Sequence, residues 1–92
     1  MTYKLEFPSS RVRKQYETFL ASFESEKRQT IAEEIEDLQN NPRPRGCEKI
    51  KDDIYRIRFG VWRVVYRIYK KEKVVAIAKI GKRREGFYKE FR

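Results

Sequence analysis

The sequence predicts an α+β fold: an N-terminal strand, an α-helical hairpin packed on one face of a mostly antiparallel four-stranded sheet, and a short C-terminal helical turn. Three patterns lead there. Apolar and polar residues alternate at the start of the chain and again after Ile54, which is the two-residue period of half-buried strands. Between Val12 and Leu38 the apolar residues recur every three or four positions, the period of a buried helix stripe. Gly60-Val61 then separates two strand-like runs and suits a tight hairpin.

Taken in order, Tyr3-Lys4-Leu5-Glu6-Phe7 reads as the first strand, and Pro8-Ser9-Ser10 ends it with a serine able to cap a helix. Val12, Tyr16, Phe19, Leu20 and Phe23 form one apolar stripe. Ser22 to Ser25 reads as a turn, and Glu24 and Glu26 suit the positive end of a second helix. Ile31, Ile35 and Leu38 continue the stripe until Asn40-Asn41-Pro42 stops it. Arg43 to Lys51 reads as a basic loop. Strands are then expected at Ile54 to Phe59, Trp62 to Tyr69 and Lys73 to Ile80, with Gly81 ending the last. Phe87 and Phe91, four apart, would dock one helical turn on the core and leave Tyr88 pointing away.

At 92 residues the chain is expected to form one domain over its whole length, 1–92. Charged residues make up 40% and the net charge is +9. The distribution is uneven: residues 1–42 sum to −2 and residues 43–92 to +11. A concentrated cationic surface attracts polyanions by Coulomb steering and counterion release, so nucleic acid is the leading partner class. A membrane surface is the weaker alternative. Cys47 stands alone, which excludes an internal disulfide and fits a reducing compartment. With no apolar leader and no long apolar run, a cytoplasmic protein without a membrane partner is expected.

Strand alternation sorts the central side chains. Tyr55, Ile57 and Phe59 share one face, and Arg56 and Arg58 share the other. A two-residue loop at Gly60-Val61 sets Arg58 opposite Arg63 and Arg56 opposite Val65. Like charges directly opposite on a sheet cost a few tenths of a kcal/mol up to about 1. A phosphate shared between the guanidiniums would remove that cost. The plainer alternative is a solvated face that resists edge pairing. Lys82-Arg83-Arg84 adds a basic run at a strand end. The sequence has no His, no CxxC and no phosphate-cradling glycine loop, so neither a metal nor an organic cofactor is expected.

Tyr3 to Phe7, Lys49-Ile50-Lys51-Asp52, Tyr55 to Arg58, Gly60-Val61-Trp62-Arg63-Val64-Val65-Tyr66 and Ile80-Gly81-Lys82-Arg83 follow in an order that resembles the RelE-type toxins of bacterial toxin–antitoxin systems. The G-x-x-R-x-x-Y hairpin, a following G-K-R and the late Tyr88 are the specific part, and the resemblance runs from Tyr3 to about Phe91.

It implies a RelE-like fold and a ribosome-dependent endoribonuclease that cuts mRNA in the A site, where a ribose 2′-OH attacks the adjacent phosphate. It assigns catalysis to Arg56, Arg58, Arg63, Arg83 and Tyr88. Arg63 and Arg83 would hold the scissile phosphate, and Tyr88 would stack on the substrate and help activate its 2′-OH. Arg45, Lys49, Lys51, Lys82 and Arg84 would grip ribosomal RNA. A RelB-like antitoxin would cover the basic face. The chain departs from its relatives at Arg56 and Arg58, where lysine is common. Arginine holds its proton at ordinary pH, which leaves the general acid to Tyr88, a lysine or water. The related ParE-like branch implies DNA gyrase inhibition instead, and a non-catalytic RNA- or ribosome-binding protein would use the same arginines.

Overall fold

The computed structural model describes residues 2–91. Strand β1 (Lys4–Glu6) leads into helix α1 (Ser10–Ala21) and helix α2 (Ser25–Glu36), followed by a 3₁₀ turn at Asp37–Gln39. Strands β2 (Glu48–Lys51), β3 (Ile54–Phe59), β4 (Trp62–Tyr69) and β5 (Val74–Lys82) complete a five-stranded sheet in the order β1-β5-β4-β3-β2. A 3₁₀ turn at Lys89–Phe91 ends the described chain. Two helices on a mixed sheet match the expected α+β class. The sheet holds five strands, however, because residues 48–51 of the expected basic loop pair antiparallel with β3. Glu-Lys-Ile-Lys carries one large apolar residue, so its edge-strand character comes from pairing and not from periodicity.

The helices form where their caps are satisfied. Ser9 is the capping serine of α1, its Oγ accepting the Val12 amide at 3.2 Å. At the far end Arg28 reaches back from α2 and donates to the carbonyls of Leu20 at 3.0 Å and Phe23 at 2.9 Å. A cation there bonds exposed carbonyls and opposes the negative end of the helix dipole. The apolar stripes meet the sheet: Val12, Phe19, Ile31, Ile35 and Leu38 are buried against Tyr55, Val64, Tyr66, Ile68, Val75, Ile77 and Ile80. Phe19 sits among the rings of Phe23, Phe59 and Trp62, each with its centroid within 5.5 Å. Burial holds the Tyr66 phenol well above its usual pKa, and its hydroxyl donates to the Pro42 carbonyl at 2.7 Å. That bond secures the loop after α2.

The central hairpin has the expected register. Phe59 pairs with Trp62, Arg58 with Arg63 and Arg56 with Val65. Gly60 takes φ +61°, whereas Val61 stays out of the positive-φ region, the pattern of a II′-type turn. Two strand ends differ from expectation. β1 is shorter and pairs parallel with β5. β5 runs through Gly81 to Lys82, because Gly81 pairs with Arg63 inside the ladder. Its missing side chain matters for packing across the sheet: a Cβ there would lie 2.9 Å from Cε1 of Phe87.

The C-terminal turn docks on the second face of the sheet, away from the helices. Phe87 and Tyr88 form a separate buried cluster with Val65, flanked by Ile50, Ile54, Ala78 and Phe91. Tyr88 does not point away. Its ring meets that of Phe87 edge-on at 5.0 Å, and only 6% of the residue is exposed. The tail makes turns before its 3₁₀ segment and no α-helical turn, so the i, i+4 geometry that would separate Tyr88 from the docking face is absent.

Two outcomes check this account. Ser9→Ala should lower stability by about 1 kcal/mol and Ser10→Ala by far less, measured by urea denaturation. Gly81→Val should cost about 1–3 kcal/mol through overpacking against Phe87, and limited proteolysis should then nick the tail before the core.

Candidate nucleic-acid interface

Four of the expected catalytic residues meet on or beside the second sheet face. Arg56 and Arg58 project there from β3, Arg63 starts the matching side of β4, and Tyr88 arrives from the tail. The Arg56 guanidinium carbon lies 4.9 Å from the Tyr88 ring centroid, a cation–π contact strengthened by partial desolvation. Desolvation alone lowers the Arg56 pKa, but the adjacent Tyr88 phenol and Glu48 carboxylate outweigh it and the net shift is upward. The Tyr88 hydroxyl is buried without a hydrogen-bond partner among the described residues. Arg83 is exposed just beyond the ladder, its amide bonded to the Val61 carbonyl at 2.9 Å.

Arg63 behaves differently from its neighbours. It is 9% exposed, and its Nη1 donates to the carbonyls of Gly60 at 2.7 Å and Trp62 at 2.9 Å. Its guanidinium thus fastens the hairpin turn, while Nε is buried without a partner among the described residues. The like charges of Arg58 and Arg63 are therefore relieved from within the chain: carbonyls serve Arg63, and Glu48 lies 3.8 Å from Arg58 Nε. Glu48 also accepts from Arg56 Nη2 at 2.9 Å.

The other basic candidates are dispersed. Lys49 pairs with Tyr55 and Lys82 with Trp62, so both belong to the helix side of the sheet. Lys82 lies over the Trp62 ring at 5.7 Å. Lys51 lines a cavity of about 410 Å³ with Ile54, Arg67, Tyr69, Glu90 and Phe91, at the opposite end of the second face from Arg58. Arg45 is exposed in the loop before β2. Arg84 is exposed with Arg83 along the concave side of the tail, where Lys89 adds a third cation.

Two residues of this face escape a reading of the sequence. Glu48 is visible only once β2 is paired with β3. Lys79 had a faint signal, as the lone cation inside an otherwise apolar Val/Ile strand. Its ammonium donates to the Phe87 carbonyl at 2.8 Å and to Glu90 at 2.7 Å, and it lies 4.3 Å from the Phe87 ring centroid. It ties the tail to the sheet. Among the described residues no group of three or more His, Cys, Asp or Glu could hold a metal ion, and no helix is long and apolar enough to cross a membrane.

The chain and its fold are similar to known proteins. The family described as the ParE toxin of the type II toxin–antitoxin system, parDE, matches residues 10–87. A protein of Methanocaldococcus jannaschii described as a candidate toxin, RelE1, is 42% identical over 60 residues, which span 60% of this chain and 66% of that protein. The match thus stops just short of two thirds of the relative's length. Among solved structures, the archaeal RelE–RelB complex of Pyrococcus horikoshii superposes with a TM-score of 0.67 at 28% identity, over 92% of this chain and 99% of that one. The isolated E. coli RelE toxin superposes at 0.66 and 24% identity, over 97% and 94%. A five-stranded sheet under a helical hairpin, with arginines on its free face and a family match over residues 10–87, has one consequence for classification: the chain belongs to the RelE/ParE family of type II toxin–antitoxin toxins, with a RelE-type fold.

Proposed function

We propose that this toxin is a ribosome-dependent endoribonuclease that cleaves mRNA in the A site and so inhibits translation. The observation that carries the reading is the placement of the Tyr88 ring against Arg56 on the strand face that also bears Arg58, with Arg83 exposed beside it. The ribose 2′-oxygen attacks phosphorus, a P–O2′ bond forms and the P–O5′ bond breaks. The products are a 2′,3′-cyclic phosphate and a free 5′-OH. The proton leaving the 2′-OH goes to a base, and the departing 5′-oxygen gains one.

Fixed guanidiniums stabilise the charge that builds on the phosphorane by a few kcal/mol, and the ribosome orients the message, which contributes several more. Arg56 is an unsuitable acid, since its neighbours strengthen its hold on its proton. Leaving-group protonation therefore falls to Tyr88, a lysine or water. Arg63, with Nη1 turned into the hairpin, supports the site by holding the turn between β3 and β4. Arg45, Lys49, Lys51, Lys82 and Arg84 are placed on several sides of the molecule, which suits contact with ribosomal RNA from more than one direction.

Solved relatives include toxin–antitoxin complexes, among them the intact E. coli RelBE complex. By the same likeness a RelB-like antitoxin is the partner expected to neutralise this toxin, covering the cationic face with an acidic and apolar segment. A second reading, gyrase inhibition without hydrolysis, draws on the ParE family match and on the burial of Tyr88, which leaves its hydroxyl out of reach until the tail moves.

A defined mRNA incubated with purified toxin, with and without programmed ribosomes, decides between them once the ends are mapped. Cuts inside A-site codons with cyclic-phosphate ends, on ribosomes only, are expected. Absence of cleavage together with inhibition of gyrase supercoiling would overturn the proposal, and absence of both would indicate an inert binder. Arg83→Ala should slow cleavage by orders of magnitude with little loss of ribosome association; a parallel fall in both makes Arg83 a docking residue. Tyr88→Phe separates structure from chemistry. Removing a buried hydroxyl that has no partner should leave the melting temperature unchanged or higher, while cleavage drops at least tenfold if that hydroxyl acts in the reaction.

A further inference from the structure

The hairpin sets two guanidiniums, Arg56 and Arg58, two residues apart on one face of β3, in a cationic half of the chain. An unscreened cluster of this kind would attract an anion. The structure supplies one from the edge strand: Glu48 of β2 is the direct cross-strand partner of Arg56. A single carboxylate oxygen, Oε1, lies 2.9 Å from Arg56 Nη2 and 3.8 Å from Arg58 Nε. Glu90, a second carboxylate beside this face, is taken up by Lys79.

We propose that Glu48 is a built-in competitor for phosphate, its carboxylate occupying the anion position between Arg56 and Arg58 that a phosphodiester of single-stranded RNA must take over. Carboxylate and phosphate are recognised by the same guanidinium fork, so one can replace the other without rebuilding the site. The Glu48 side chain is 48% exposed and that of Arg58 58%, so the bridge is solvent-screened and exchangeable and does not form a buried lock. An ion pair of this strength excludes weakly held anions. It yields to a phosphate delivered at high effective concentration, as when a larger assembly holds the strand against the face. Glu48 thereby sets a threshold between free RNA and RNA presented in place. The inference rests on the reading that this face meets RNA.

The test measures binding apart from cleavage. A fluorescein-labelled oligoribonucleotide is titrated with wild-type toxin, Glu48→Gln, Glu48→Ala and Glu33→Gln, and anisotropy is read at several salt concentrations. Glu33→Gln makes the same change in net charge on the exposed side of α2 and serves as the control. Both Glu48 variants should bind on the order of fivefold more tightly at low salt, with a salt slope steeper by about one ion. Glu33→Gln should change affinity less than about twofold. Thermal melts of each variant confirm that the sheet is intact.

Equal effects of Glu33→Gln and Glu48→Gln would overturn the proposal, as would absence of RNA binding by every variant. A loss of ribosome-dependent cleavage in Glu48→Gln at unchanged RNA affinity would also overturn it, because Glu48 would then act on a proton. If the wild type never cleaves but the Glu48 variants alone gain affinity, the nuclease reading fails and the competitor role stands.

Discussion

The register of the β3–β4 hairpin is the constraint on which the rest of this molecule depends. Sheet side chains alternate with a period of two, so a slip by one residue would flip one strand against the other, sending either Tyr55 or Val64, Tyr66 and Ile68 into solvent and turning that strand's arginines toward the core. The II′-type turn at Gly60-Val61 prevents that slip, and Arg63 reinforces it by bonding the carbonyls of Gly60 and Trp62. A single turn thereby seats the aromatic core against the helices and displays Arg56 and Arg58 on the other side. The hydrophobic and cationic halves of the design are one geometric choice.

The second face is more than a solvated surface. Val65, Ile50, Ile54 and Ala78 give it an apolar floor, and the tail lays Phe87 and Tyr88 on that floor where Gly81 leaves room. Lys79 holds the tail by its backbone, its Glu90 side chain and the Phe87 ring together. The tail is thus part of the site's wall, and the same contacts that stabilise it limit access to the Tyr88 hydroxyl. Stability and reactivity pull in opposite directions at that residue. Few buried contacts hold the tail compared with the helix-side core, so local opening there should cost much less than global unfolding.

Charge on this face is partly offset by local carboxylates, although the face, like the chain as a whole, stays basic. Glu48 answers Arg56 and Arg58, and Glu90 answers Lys79. Arg83, Arg84 and Lys89 line the concave side of the tail with only Glu85 among them. Cations without an ion pair among the described residues thus gather at the end of the sheet where β5 leaves the ladder. There a polyanion gains most from counterion release, since no internal carboxylate has to be displaced first.

The sequence by itself determined whatever is local or periodic. The helix stripes, the capping segment before α1, the hairpin turn and the pairing of Arg58 with Arg63 all follow from spacing, because period and turn chemistry act over a few residues. Its motifs also sufficed to indicate the family. Only the tertiary structure decided the non-local matters. Strand β2 exists because β3 offers it an edge, and Glu48 reaches the arginines only through that pairing. Gly81 remains inside β5 because Phe87 comes to rest on it. The family resemblance assigns Arg63 to the phosphate, and only packing shows that the same guanidinium also clasps the turn. Tyr88 is buried where the tail docks because apolar floor residues from four strands converge beneath it. Each of these depends on residues far apart in sequence, whose contacts are specified by the packed sheet and not by any stretch of chain within it.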